Sequence, residues 1–215
     1  MVDYQEKLIP KPPEVPRSLL SILKKNSGRN NRGVITVRHQ GGRHKRKYRF
    51  IERIAKGSLG NPYRKDGVEG KVVRTKLYNP NRNCFNALIH YPQDNSFALI
   101  LAPEGLKVDD TIISGESETV PIKVGNNLPL KFIPTGIPIH NIELKPKKGG
   151  QLIRGAGTWA EIMAKGIQRR GQEYCQVKLR SKTEYLILAA CRATIGRVGN
   201  SEFNRVKLYK AGQNR

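Results

Sequence analysis

The chain has 215 residues, of which 40 are Lys or Arg and 17 are Asp or Glu, so its formal charge is +23 at neutral pH. A small soluble domain carries about 2–8 charges, so this surplus argues against a free, partnerless protein and for nucleic acid, whose footprint is a domain pI above about 9. No apolar run approaches the roughly 18–20 residues of a membrane span, and no long basic amphipathic helix points to a membrane surface.

A chain of this length can bury one large core or two small ones. Residues 1–32 read as an extended tail. Pro10, Pro12, Pro13 and Pro16 forbid a regular helix, and SGRNNRG (27–33) is turn-and-coil chemistry with little to bury. LLSIL (19–23) is an apolar patch able to dock on a partner or on the body, but it is too short for a signal-peptide core. Asp3, Glu6 and Glu14 argue against a cleaved organellar presequence, so the expectation is a protein made where it works. From Gly33 the texture changes to short runs rich in β-branched and aromatic residues. GVITVRH (33–39), KYRFIERI (47–54), KVVRTKLY (71–78), NALIHY (86–91) and SFALILA (96–102) read as strands, with PQDN connecting the last two. Such a series suits a small closed barrel, because closure removes exposed edges.

The turn signal VGNN (124–127) opens a second series: GIPIHNIEL (136–144), TWAEIMA (158–164), YCQVKLR (174–180), EYLILAACRATIG (184–196) and NRVKLYK (204–210). YCQVKLR alternates cleanly, with Cys175, Val177 and Leu179 on one face and Gln176, Lys178 and Arg180 on the other. No segment sustains a 3.6-residue apolar period. The expected fold is therefore all-β, two small barrels behind a basic tail, with the boundary near residues 115–127.

The three cysteines, Cys84, Cys175 and Cys191, are odd in number and never form C-x-x-C, which fits a reducing compartment. Cys175 and Cys191 lie among apolar residues and read as small buried hydrophobes. The four histidines form no H-E-x-x-H, no cysteine stands at zinc-ligand spacing from them, and there is no nucleophile elbow. Asp109–Asp110 looks like a surface turn. An enzyme is not expected.

Cation placement is more informative. Between Lys24 and Arg49 there are ten Lys or Arg and no acid, densest in RHQGGRHKRKYRF (38–50). Arg29, Arg32, Arg38, His39, Arg43, His44, Lys45, Arg46, Lys47 and Arg49 are the expected phosphate contacts of this run. Tyr48 and Phe50, two apart, share a strand face, which is more often a core face than a platform for stacked bases. PNRN (80–83) is a turn that projects Arg82, either simply exposed or as a rigid fork for phosphate. KKGGQLIRGAGT (147–158) combines cations and glycines without an acid, as suits a backbone that a polyanion approaches closely. Lys145, Lys147, Lys148 and Arg154 would hold phosphates there, while Gly149, Gly150, Gly155, Gly157 and Thr158 would let RNA lie against main-chain groups. G-x-x-x-x-G-K-[ST] is absent, and Gly155-Ala156-Gly157 lacks the third glycine of a dinucleotide fingerprint, so no nucleotide-binding loop is expected. Trp159, the only tryptophan, reads as a core plug.

In order, GRNNRGVITVRHQGGRHKRKYR, YNPNRN, ILAPEGLKVDD, GNNLPLKFIPTGIPIHNIELKPKKGGQLIRGAGT and CRATIGRVGN closely resemble the universal large-subunit ribosomal protein of the L-two family, in its bacterial or organellar form, from about Asn26 to Gly212. The resemblance implies an OB-fold (33–118) followed by an SH3-like barrel (119–210), after the tail (1–32) and before a truncated end (211–215). It implies binding to large-subunit rRNA among neighbouring ribosomal proteins, support of subunit association, and a place in the architecture around the peptidyl transferase centre. It carries RNA-binding roles onto Arg82 and Arg154, and Arg192 in CRATIGRVGN joins the expected contacts. No catalytic cofactor is implied, and structural Mg2+ enters only through the rRNA. Neither a membrane nor a homo-oligomer is expected.

Two departures stand out. Members of the family usually continue past KAGQNR (210–215) into a His- and Gly-rich loop, so a separate polypeptide is expected to supply that part. The loop GSLGNPYRKDGVEG (57–70) looks long and could reach a lineage-specific neighbour. Shortened ribosomal genes are typical of organellar genomes. The expectation is thus an organelle-encoded protein of the mitochondrial ribosome in the matrix, with a plastid or the bacterial cytoplasm as alternatives. A free RNA-binding or RNA-processing factor using the same basic surface is the competing reading of function.

Overall fold

The computed structural model describes residues 15–41, 45–51, 67, 69–93, 95–115, 120–210 and 213. A 3-10 turn, Arg17–Leu19, leads into β1 (Leu20–Ile22), which pairs antiparallel with β2 (Lys47–Arg49) so that Leu20 faces Arg49 and Ile22 faces Lys47. The expected tail therefore docks on the body over residues 15–22. Leu19, 1% exposed, packs with Leu77, Leu88 and Leu99 beside Val15 and Phe97. Burying one leucine is worth roughly 1.5–3 kcal/mol, enough to dock a short arm.

The first sheet comprises β3 (Glu69–Leu77), β4 (Asn86–Tyr91), β5 (Ser96–Leu101) and β6 (Thr111–Ile113), in the order β5-β4-β3-β6. β4 and β5 pair without interruption from Asn86–Leu101 to Tyr91–Ser96. Their sequences are nearly continuous apolar runs because both faces are covered. Val72, Ala87, Ile89, Tyr91, Ala98, Ile100 and Ile112 fill one side, and Leu19 closes the other over Leu88 and Leu99. β3 slips register twice against β4, after Val72 and after Arg74; such bulges bend a strand and increase its twist. At Gly70 a side chain would collide with Ile89 and come within 2.9 Å of Tyr91, which explains a glycine inside a strand.

The second half contributes β7 (Asn127–Pro129), a 3-10 turn (Leu130–Phe132), β8 (Pro138–His140), β9 (Ile142–Glu143), β10 (Gly150–Leu152), β11 (Ala160–Arg169), β12 (Gln172–Leu179), β13 (Glu184–Leu188) and β14 (Arg192–Ile195). The main sheet runs β13-β12-β11-β8-β14-β7, with β9 and β10 pairing separately. Pro129 is tolerated because β7 is an edge strand. β11 and β12 turn at Arg170 and Gly171, both at positive φ (51° and 73°), the backbone that a tight hairpin demands. The core holds Leu128, Ile139, Ile142, Ile162, Val177 and Ile187 among others, and the alternation read in β12 places Cys175 and Val177 inside it. The all-β architecture is as expected, an OB-fold followed by an SH3-like barrel, with only 3-10 turns among the described helical segments.

The halves are stitched together. Pro103 bridges Val198, the Gly199 N–H donates to the Ala102 carbonyl at 2.9 Å, and Glu104 forms an ion pair with Arg197. Ile51, Cys84, Leu101 and Val198 form a small apolar cluster beside Ala156, drawing on both halves.

Two expected strands do not form. GVITVRH (33–39) lies in an exposed loop held by an isolated bridge between Arg29 and Ile35. NRVKLYK (204–210) begins in the 3-10 turn Ser201–Arg205 and continues without pairing, leaving Tyr209 84% exposed. Both have strand-like side chains but no neighbouring strand to bond. The short strands Leu20–Ile22, Thr111–Ile113, Asn127–Pro129 and Gly150–Leu152 are additions to the reading.

All three cysteines are free and buried. Burial pushes the Cys191 thiol up to about 12, with the Glu143 carboxylate and Cys175 adding to it. An unfolded thiol ionises near pH 8.5, so this residue's contribution to stability is intact below about pH 8.5 and is lost as pH rises toward about 12. Alkylation at neutral pH is expected to be slow on native protein and complete once it is denatured, as mass spectrometry of trapped thiols would report.

Candidate nucleic-acid interface

The turn at residues 79–83 is built by asparagine. Asn79 is buried; its side-chain oxygen accepts the Asn81 N–H at 3.0 Å, its amide donates to Asn86 at 3.4 Å, and its carbonyl accepts the Arg82 N–H at 3.3 Å. Short side-chain acceptors that mimic a backbone turn suit Asn to this role. Arg82 is half-buried at the crest.

Two other basic segments meet this turn. The Arg46 guanidinium donates to the Pro80 carbonyl at 2.9 Å, and the Asn81 amide donates to the Lys47 carbonyl at 3.3 Å. On the other side the Ala156 N–H donates to the Asn83 side chain at 3.1 Å, and the Cys84 thiol lies 3.5 Å from the Arg154 carbonyl. Burial raises the Cys84 thiol, while the charges of Arg82 and Arg154 pull it back down, so both guanidinium groups act on the same sulfur. Arg49 is also half-buried; desolvation lowers its pKa, and Tyr78 opposes that. Among the described residues, acids pair with Lys71, Arg197 and Arg205 rather than with Arg46, Lys47, Arg49 or Arg82. Cations gathered on one face attract phosphate.

Lys145, Lys147 and Lys148 stand exposed on the loop between β9 and β10. The glycines of this region divide by purpose. Gly149 is buried at φ 87°, a side chain on Gly150 would collide with Asn141, and one on Gly157 would come within 2.8 Å of the Ser201 backbone. These three satisfy the protein's own packing, which corrects the expectation that they are bare for RNA. Gly155 differs: a side chain there would meet only Thr158, at 3.7 Å, and Thr158 closes the turn by donating to the Gly155 carbonyl at 2.7 Å. Gly150→Ala is therefore expected to lower the thermal unfolding midpoint, at about 1–3 kcal/mol for overpacking. Gly155→Val should keep the midpoint and weaken RNA binding, which the same preparation shows in a binding assay.

Arg29, Arg32, Arg38 and His39 lie in an exposed loop whose hydrogen bonds close on itself. The Asn30 side chain accepts the N–H groups of Arg32 and Val34, each at 3.0 Å, and the Gly28 carbonyl accepts those of Thr36 and Val37. Lys45 is exposed beside the Arg46 contact, while Arg43 and His44 lie outside the described residues, as does most of the loop 57–70. Arg192 needs correction: it is 2% exposed in the fully buried β14 and cannot meet RNA from there. Trp159 needs another, being half-buried with the guanidinium groups of Arg180 (4.9 Å) and Arg197 (5.3 Å) over its ring rather than plugged into the core. The sequence reading does not single out Asn79, Asn81 and Asn83 as organisers of the site; the asparagine spacing of YNPNRN (78–83) is their signal. Among the described residues no group of three His, Cys, Asp or Glu could hold a metal, and no helix is long and apolar enough to cross a membrane.

Residues 16–114 match the family described as Ribosomal Proteins L2, RNA binding N-terminal domain, and residues 123–215 match Ribosomal Proteins L2, C-terminal domain.

Proposed function

This chain belongs to the ribosomal protein L2 family, and on that premise we propose that rRNA lies across the face where Arg46, Lys47, Arg49, Arg82 and Arg154 converge. As a member of that family it is a structural RNA-binding protein of the large ribosomal subunit, working among rRNA and other ribosomal proteins. The convergence of two sequence-distant basic segments on the asparagine-built turn that carries Arg82 supports the assignment of the face. Half-buried guanidinium groups are held stiffly, so less side-chain entropy is lost when they fork onto phosphate. The exposed lysine loop and the self-bonded loop around Arg29 and Arg32 extend the contact, and Mg2+ participates through the RNA alone.

By holding both barrels against folded RNA, the protein would support subunit association and the architecture around the peptidyl transferase centre. The ribosome in this proposal is mitochondrial, an assignment that rests on the sequence reading and that organelle fractionation would decide. The test of the face is salt dependence. Each phosphate neutralised contributes about 0.7–0.9 to the slope of log affinity against log salt. Binding to large-subunit rRNA fragments should fall steeply between low and moderate salt, and Arg82→Ala should make the slope shallower. A flat salt response, or a slope unmoved by that change, would overturn the assignment.

A further inference from the structure

Glu143 is 1% exposed, at the end of β9 and beneath the lysine loop. A glutamate so buried is rare unless its charge is satisfied. Here main-chain donors converge on it: the Gly149 N–H reaches Oε1 at 2.8 Å, and the N–H groups of Arg192 (3.1 Å) and Lys147 (3.3 Å) reach Oε2. An ionised carboxylate accepts only, with lone pairs enough for all three, and such charge-assisted bonds are stronger than neutral ones. The Arg192 bond anchors the carboxylate to β14, and the other two grip the loop.

That loop needs gripping. Lys147 sits at φ 61°, unfavourable for a residue with a side chain, and Gly149 at φ 87°. Such backbone persists where its surroundings over-determine it. The Lys148 N–H also closes a turn onto the Lys145 carbonyl at 3.2 Å, which crowds three like charges onto one short segment. Left alone they would favour a more open loop; a negative charge fixed underneath offsets part of their repulsion.

We propose that Glu143 is a positioning residue for RNA binding, a buried anchor that holds Lys145, Lys147 and Lys148 as a preset phosphate-binding group. The inference rests on the reading above that this loop faces rRNA. Gln at 143 would turn an NH2 toward converging N–H donors and release one side of the grip, leaving the lysines in place but unset.

The experiment uses the full chain, a large-subunit rRNA fragment and four proteins: wild type, Glu143→Gln, the triple variant Lys145→Ala/Lys147→Ala/Lys148→Ala, and the combination. The triple variant should flatten the salt slope by about 2–3 units. Glu143→Gln should cost about tenfold in affinity at moderate salt, as losing one charge-assisted contact would, and should add nothing in the triple background. Wild-type affinity for Glu143→Gln, or a full additional loss in the triple background, would overturn the inference. If the triple variant itself binds normally, the loop does not face RNA and both readings fall. Should Glu143→Gln not fold, amide exchange in the wild type decides: Lys147 and Gly149 should be protected although the loop is exposed, and rapid exchange at both would refute the anchor.

Discussion

With Arg82 and Arg154 both replaced by alanine, the protein is expected to stay folded and to lose most of its affinity for large-subunit rRNA. A hydrogen bond to a charged group is worth about 1.5–3 kcal/mol, so each arginine should account for about tenfold to 150-fold. The charges of both arginines bear on the buried Cys84 thiol and oppose the upward push of burial. Their removal should therefore raise that thiol further, a local readout independent of RNA. The salt slope should also become shallower, because two cations leave the contact. If the unfolding midpoint dropped as sharply as the affinity, the arginines would be structural and the face would lie elsewhere.

Leu19→Ala is the second large effect, and it acts at a distance. Leu19 fills the outer side of the first sheet over Leu77, Leu88 and Leu99, and its carbonyl accepts the Phe50 N–H at 3.0 Å. Large-to-small changes at such sites cost about 2–5 kcal/mol. Losing it should free β1 from β2, speed tryptic cleavage at the already exposed Lys24 and Lys25, and unfix the Lys47–Arg49 segment that crosses the PNRN turn. RNA affinity should fall while the salt slope stays near that of the wild type, since no charge is removed. An arm that remains protease-resistant in this variant would show that the docking seen at Leu19 does not govern it.

Much of this was legible in the sequence where a local pattern and its tertiary partner agree. β4, β5 and β12 are legible because their side chains match the burial they meet. GVITVRH and NRVKLYK carry the same chemistry and form no strand, because pairing depends on a neighbour that the local sequence does not encode. LLSIL could be seen as a docking patch, but its dock over Leu88 and Leu99 is formed by residues far along the chain. The site shows the same division. Lysines and arginines are visible one by one, and the runs containing Arg46, Arg82 and Arg154 stand far apart in the chain. That all three meet depends on Asn79, Asn81 and Asn83, whose hydrogen bonds join distant segments. Arg192 misled because an arginine is rarely wholly buried, and β14 buries it. Gly149, Gly150 and Gly157 misled in the opposite sense: their freedom serves the chain's own turns, leaving Gly155 as the position open to an outside partner.

In the proposed arrangement, rRNA of the large subunit covers the face joining the basic strand, the asparagine turn and the glycine loop. Ultraviolet cross-linking of intact large subunits, followed by mass spectrometry of nucleotide-bearing peptides, tests it most directly. Adducts are expected on the peptides that hold Arg46–Arg49, Arg82 and Lys147–Thr158. Adducts confined to other surfaces, with Lys47, Lys147 and Lys148 still open to an amine reagent in the assembled subunit, would contradict it.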